Sequence, residues 1–388
     1  MSKGRKVKLS SVVQDTITGE WGTECTNEKI CTKVLRTTNF TNTGVIDYSN
    51  VVLRNIPEKK RNAKRLIDQD IILEKSGGSD TQPVGRVVFF SDKSDEVYLC
   101  NNFTQILRID QSKAYPKFIF WHLYYLHLIG TTEELQNKTT GIRNLQIKRY
   151  MSQEIHLPPL SAQKNIAHRL EHINSLIDMR KEQIDKLDLL VKSRFIEMFR
   201  NDYPYVILGD EFETKSGGTP SRKKREFYDG GTIPWLTSGE VNKGIINETE
   251  NCITEEGLKN SSAKWIPKNS VVIAMYGATA GKVGLLRLRT TTNQAICAVL
   301  PHKDFVPEYL YYAIKSQELW MVSNVIGGAQ PNLSQTIIRK MQIMRPPLAK
   351  QETFACFLQQ IDKAKFTIQK SLEELKTLKH ALMQQYFG

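Results

Sequence analysis

Leu157-Pro158-Pro159-Leu160-Ser161-Ala162-Gln163 and Arg345-Pro346-Pro347-Leu348-Ala349-Lys350-Gln351 are one phrase written twice. Sliding the chain by 188 residues carries Leu157 onto Arg345 and Asn144-Leu145 onto Asn332-Leu333. The same shift carries Ala167 onto Ala355, Leu170 onto Leu358, Ile173 onto Ile361, Leu187 onto Leu375, Leu190 onto Leu378 and Phe199 onto Phe387. The chain is therefore an internal repeat: a block of about 155 residues, a Pro-Pro punctuation and a stretch of about 37, twice over.

Both shorter stretches have the spacing of long helices. The first places Ile166, Leu170, Ile173, Ile177, Ile184, Leu187, Val191 and Met198 in steps of three and four, broken by Arg180 and Arg194. The second places Phe354, Leu358, Ile361, Ile368, Leu372, Leu375, Leu382 and Tyr386 likewise, with Lys365 and Lys379 in the gaps. Alternating steps of three and four sustained over several heptads predict a coiled coil. A proline pair ahead of each fits an extended lead into a helix, since proline is tolerated only at a helix start. At ~1.5 Å per residue each helix is roughly 55 Å long. Antiparallel pairing would bury both stripes and hold two similar blocks at opposite ends of a rod.

Each block mixes short strand-like runs with glycine-rich turns and then a proline-led aromatic helix. In the first, Ile71-Ile72-Leu73 runs into Lys75-Ser76-Gly77-Gly78; in the second, Val271-Val272-Ile273-Ala274 runs through Tyr276 into Gly277-Ala278-Thr279-Ala280-Gly281-Lys282. Both then reach an asparagine, Asn102 or Asn293, that opens another β-rich run. The expected class is α/β (α+β): two blocks with twisted, mostly antiparallel sheets, separated by two long helices packed as an antiparallel coiled coil, with a pseudo-two-fold internal repeat. The expected boundaries are 1–157, 158–200, 201–345 and 346–388.

The 388 residues are 40% hydrophobic and carry a formal net charge of +13, which favours a polyanionic partner. Six cysteines at positions 25, 31, 100, 252, 297 and 356 form no C-x-x-C pair, so zinc-ribbon and thioredoxin-like readings lack their spacing. Scattered in a long chain, they predict free thiols in a reducing, cytoplasmic compartment. The first residues are basic but lack the apolar run of a signal peptide, and the apolar stretch at 118–130 is too short to span a bilayer. No membrane association is expected.

Lys215-Ser216-Gly217-Gly218-Thr219-Pro220-Ser221-Arg222-Lys223-Lys224-Arg225 joins small residues, which let backbone approach a ligand, to four consecutive cations. It is a candidate DNA contact; the alternative is a solvated basic loop. Lys59, Lys60 and Arg61 stand for a similar cluster in the first block, as do Lys75, Ser76 and Gly77 in its glycine turn. The stretch 277–283 is one residue short of a P-loop and has Val283 where Ser or Thr would bind magnesium, so it is no nucleotide site. It reads as a strand-to-strand turn, or as a loop in which Tyr276, Thr279 and Lys282 approach DNA. Trp235 reads as core, with base stacking as the alternative, and Ser238 is a candidate donor to bases or phosphate. His168 and His172 lie four apart on the first helix without a third ligand and read as surface. No H-E-x-x-H, G-x-S-x-G, G-x-G-x-x-G or N/D-P-P-Y pattern occurs, and no catalytic, cofactor or metal site is nominated.

The repeated Pro-Pro-Leu-x-x-Gln helix start, the helix ending Val191-Lys192-Ser193-Arg194-Phe195-Ile196-Glu197-Met198-Phe199 and its second copy resemble the specificity subunits of type I restriction-modification enzymes. Ser216-Gly217-Gly218-Thr219-Pro220, Ile233-Pro234-Trp235 and Gly277-Ala278-Thr279-Ala280-Gly281 resemble parts of their target recognition domains. The first block has no Gly-Gly-Thr-Pro near its start and no Ile-Pro-Trp. Its assignment rests on position and on the Asn-Leu and Lys-Ser-Gly-Gly neighbourhoods that both blocks contain. The resemblance implies a non-catalytic chain that reads a bipartite double-stranded DNA site, one block per half, with the paired helices as a spacer ruler. It implies docking of two modification and two restriction subunits, which would use S-adenosylmethionine, ATP and Mg2+; this chain would bind no cofactor. Arg180, Arg194, Lys365 and Lys379 are the candidate docking residues. Two other readings are a coiled-coil adaptor with non-specific DNA binding and a single-chain methyltransferase-nuclease.

Overall fold

The proline pairs end one element and begin another. In the computed structural model, strand Glu154–Leu157 stops at Pro158-Pro159 and a 39-residue helix, Leu160–Met198, follows. Strand Gln342–Met344 likewise leads through Pro346-Pro347 into a 40-residue helix, Leu348–Phe387. The structure describes residues 4–26, 31–79, 81–91, 96–139, 142–200, 203–324 and 333–388. Asn332, one half of the repeated Asn-Leu, lies outside them. No helix among the described residues is long and apolar enough to cross a membrane.

The chain divides into two compact units, Met1–Glu182 with Gln369–Gly388, and Gln183–Ile368. Each unit contains one block, the start of one long helix and the end of the other. In the first, Ala167 and Leu170 share a core with Met383 and Phe387. Arg169 there reaches Tyr386 (3.3 Å) and Asn174 reaches Lys379 (2.7 Å), so the helices run antiparallel. In the second, Val191, Met198 and Phe199 share a core with Phe354, Leu358 and Ile361. Phe387 packs on Phe118 (ring centroids 5.3 Å apart), and Phe199 packs on Tyr309 (4.7 Å). The apolar stripes therefore bury helix against helix and anchor each helix end in a block.

The two blocks repeat their central strands. In the first, a sheet runs in the order Val13–Thr18, Thr104–Ile109, Ile71–Glu74, Val87–Phe89. In the second, the order is Thr214–Ser216, Ile296–Val299, Val271–Ala274, Val283–Leu286, Ile245–Ile246. A further sheet in each holds one matching parallel pair, Thr32–Leu35 with Tyr98–Cys100 and Ile233–Leu236 with Thr290–Thr292. Most other pairings are antiparallel, as expected. The central strands are buried on both faces, which is why they read as continuous apolar runs.

One expectation fails. Cys25 and Cys31 are joined in a disulfide (Cα separation 6.0 Å), while Cys100, Cys252, Cys297 and Cys356 are free thiols. The cause is register: Glu24 and Thr32 both stand opposite Arg54, on the two sides of strand Val52–Asn55. The cysteines one step beyond each therefore meet, and no C-x-x-C spacing is needed.

Candidate nucleic-acid interface

Gly217 in the second block lies so close to the backbone carbonyl of Thr292 that a Cβ would collide with it. The next residue, Gly218, donates its N–H to that carbonyl (2.9 Å), and its own carbonyl accepts from Trp235 Nε1 (3.1 Å). Trp235 is accordingly core. The Thr219 hydroxyl donates to Gln294, and Gln335 joins Ser216 Oγ (3.4 Å) and Thr214 Oγ1 (2.9 Å). Met275 N–H donates to Ala295 (2.8 Å), which brings Tyr276, 40% exposed, to the same edge. The turn Gly277–Thr279 follows there. Ser238 opens a 3-10 turn just after Leu236, whose carbonyl accepts from Asn293 N–H (3.0 Å). The sequence candidates Ser216, Gly217, Gly218, Thr219, Ser238, Tyr276 and Thr279 thus converge on one sheet edge rich in hydroxyls and amides. Arg222, Lys223, Lys224 and Arg225 are exposed on the adjoining loop and make no ion pair among the described residues.

The first block has the same edge, but different residues occupy it. Gly19 crowds the carbonyl of Cys100 as Gly217 crowds that of Thr292, Glu20 N–H donates to that carbonyl (2.7 Å), and Asn101 N–H donates to Leu35 (2.9 Å) as Asn293 N–H does to Leu236. Thr18 pairs with Gln105 as Ser216 pairs with Cys297. The counterpart of Ser216-Gly217-Gly218 is therefore Thr18-Gly19-Glu20, and that of Asn293 is Asn101 rather than Asn102. Lys75-Ser76-Gly77, despite its similar letters, matches Met275-Tyr276-Gly277. Lys75 N–H donates to Phe103 (2.9 Å) as Met275 N–H does to Ala295, and Gly77 and Gly277 both have positive φ. Gly77 answers a positive φ and Gly217 a backbone approach too close for a Cβ, so the shared Lys-Ser-Gly-Gly letters mark two different turns.

Lys75, Ser76 and Gly77 still lie on the edge. Lys75 Nζ donates to Thr18 Oγ1 (3.2 Å) and Gln105 Oε1 (3.5 Å), and burial lowers its pKa. Ser76 Oγ is hydrogen-bonded to Asn144. Beside Gly77 stands Phe103, 45% exposed. Thr18, Phe103 and Gln105, like Gln294 and Gln335, carry no signal in the sequence, and Asn144 only that of the repeated Asn-Leu, because strand pairing alone brings them together. The basic helix Glu58–Lys64 borders this edge: Lys60 (3.2 Å) and Lys64 (2.8 Å) grip Glu20, Arg61 stands 3.9 Å from Glu58, and Lys59 is exposed.

Other candidates are engaged within the fold. Lys282 is ion-paired with Glu318, and Lys215 with Glu213 (3.2 Å). On the long helices, Arg194 pairs with Glu197 (2.8 Å) and Lys365 with Asp188, while Arg180 is half-buried. Lys379 donates to Asn174 and lies over Trp121 (4.8 Å) and Tyr124 (5.1 Å); burial lowers its pKa to about 8. His168 and His172 are exposed. Glu211, His302 and Asp304 place ligand atoms within 4.8 Å of one another, but Arg345 bridges both carboxylates and makes the group a salt-bridge network.

The type I restriction modification DNA specificity domain family matches residues 26–189 and again 201–378, one copy on each block and its helix. The chain belongs to this family. A similar relative is the EcoR124I/EcoR124II specificity subunit of Escherichia coli, 25% identical over 273 residues, or 65% of either chain. The MjaIX specificity subunit of Methanocaldococcus jannaschii is 28% identical over 48% of this chain and 44% of that one. The chain thus aligns with less than two thirds of the length of either. Among solved structures, the specificity subunit from M. genitalium matches 99% of this chain and 96% of its own (TM-score 0.54, 17% identity). A chain from a structural study of assembly and conformational transition in the type I R-M system matches 100% and 98% (TM-score 0.62, 17% identity).

Proposed function

We propose that this chain gives a type I restriction-modification complex its DNA sequence specificity, each block reading one half of a split target in double-stranded DNA. The observation that carries the reading is the doubled family match, at residues 26–189 and 201–378, with a hydroxyl- and amide-rich edge bordered by cations in each block. Phosphate contacts orient a reader, and polar side chains at base edges select sequence. Basic residues at 59–61 and 222–225 suit the first task, and the side chains of the two edges suit the second. The paired helices set the number of unread base pairs between the halves and offer their outer faces, with Arg180, Arg194, Lys365 and Lys379, to two modification subunits. Those subunits supply S-adenosylmethionine chemistry on a base drawn out of the stack. Two restriction subunits add ATP- and Mg2+-dependent translocation and cleavage.

The test is the methylated-base map of DNA from cells expressing this chain with its modification partner, compared with cells lacking it. Methyladenine in a split motif with a fixed gap supports the reading. An unchanged map although the complex assembles rejects it in favour of a coiled-coil adaptor. Binding of S-adenosylmethionine by the isolated chain would instead support a methyltransferase.

A further inference from the structure

The internal repeat sets two readers on one backbone. Where the ladders coincide, a difference in side chain is a difference in what the edge offers. Two stations stand out. Lys75 occupies the place of Met275, and Phe103 the place of Ala295, fixed in each case by the hydrogen bond from the N–H of the first residue to the carbonyl of the second. Met275 is buried and Ala295 is small, whereas Phe103 presents a half-exposed ring and Lys75 an amine to the same edge.

Neither side chain has a structural task that explains it. An apolar ring exposed among Thr, Ser, Asn and Gln side chains gains little from folding, since apolar surface stabilises only when it leaves water. Lys75 is half-buried, its polar partners are the neutral Thr18 and Gln105, and it makes no ion pair among the described residues. Burial, with a smaller repulsion from nearby Lys64, lowers the pKa of the amine. A cation held by neutral groups, with Lys64 spent on Glu20 beside it, remains available to an external acceptor.

We propose that Lys75 and Phe103 determine the base preference of the first block, Lys75 donating to the O6 and N7 acceptors of a guanine and Phe103 covering a neighbouring thymine methyl. The proposal rests on the DNA-reading function given above. Lysine to guanine O6/N7 and an apolar side chain to the thymine methyl are the contacts that these groups make in a major groove. In the second block the corresponding task passes to Tyr276, one residue beyond Met275 and exposed at the same edge.

The test is the same methylated-base map, recorded for the complete complex with the wild-type chain and with Lys75→Met, Phe103→Ala and Tyr276→Ala. All three positions are at least partly exposed, so the melting temperatures should stay near the wild-type value. Lys75→Met and Phe103→Ala should each relax one half of the split motif at a base pair, with discrimination there falling on the order of tenfold or more. Tyr276→Ala should relax only the other half. A uniform loss of modification for Lys75→Met with the motif intact would make it a phosphate contact and overturn its assignment. A normal split motif that both first-block variants leave unchanged would overturn the proposal alone. No split motif with the wild-type chain would overturn the DNA-reading function, and this proposal with it.

Discussion

Gln163 and Gln351 occupy the same position in the two copies of the repeat and make the same two hydrogen bonds. Gln163 accepts from Tyr115 N–H (2.8 Å) and donates to the Pro158 carbonyl (2.8 Å). Gln351 accepts from Val306 N–H (2.8 Å) and donates to the Pro346 carbonyl (2.9 Å) and to that of Asp304 (3.0 Å). Tyr115 and Val306 are the residues that cap the proline-led helices Pro116–Leu128 and Pro307–Lys315. Each glutamine, fully buried, therefore ties the start of a long helix to the start of a block helix, and satisfies the cap N–H of the block helix and a proline carbonyl on the lead into the long one.

Replacing Gln351 by Ala leaves these backbone groups buried without partners and should destabilise the second unit by roughly 3 kcal/mol. Gln351→Glu should not rescue it, because the donor is lost. Urea unfolding of the three proteins checks this; equal midpoints would show that the bonds contribute nothing.

Arg86 holds Glu74 through Nε and Nη2 (2.8 and 2.9 Å) and donates to the Phe40 and Thr37 carbonyls, all in the buried interior of the first block. Arg86→Ala leaves a buried carboxylate unpaired and should cost about 3–5 kcal/mol. The matching station in the second block is Lys282, whose pair with Glu318 is partly exposed. Lys282→Ala should therefore cost about 1 kcal/mol or less. Calorimetric melting of both variants measures the contrast.

Because Lys282 is engaged, its substitution should alter DNA affinity less than twofold. Reversing the charge at Arg222, Lys223, Lys224 and Arg225 should weaken binding at every sequence. The salt dependence should flatten by about 0.9 in log-log slope for each phosphate that is no longer neutralised. Fluorescence anisotropy across a salt series checks both. A full slope in the reversed variant would remove this loop from the interface.

His122 is buried against Phe387, neither ring nitrogen has a hydrogen-bond partner among the described residues, and burial lowers its pKa from 6.5 to about 4. Between those values the unfolded chain binds the proton and the folded chain does not, so stability falls as pH drops from 6.5 towards 4, by on the order of 3 kcal/mol. His122→Leu should flatten that part of the curve. Denaturant midpoints from pH 7 to pH 4 would show it, and parallel curves for the two proteins would exclude the residue as the cause.

The sequence alone determined the repeat, the two long helices and their inward stripes. A helix is written in local periodicity, and a duplication in a constant offset, neither of which needs a partner to be read. It also placed Gln163 and Gln351 in register without giving them a task. Tertiary structure decided which loops correspond. Lys75-Ser76-Gly77 looks like Lys215-Ser216-Gly217, yet strand pairing sets Ile17-Thr18-Gly19 in that place, because register is fixed by partners far along the chain. Pairing also joined Cys25 to Cys31 and gathered Phe103, Gln105 and Asn144 beside Lys75. It took Lys282 and Lys379 out of the pool of free cations, since a charge is assigned by what the fold brings within a few ångströms of it, and spacing along the chain does not record that distance.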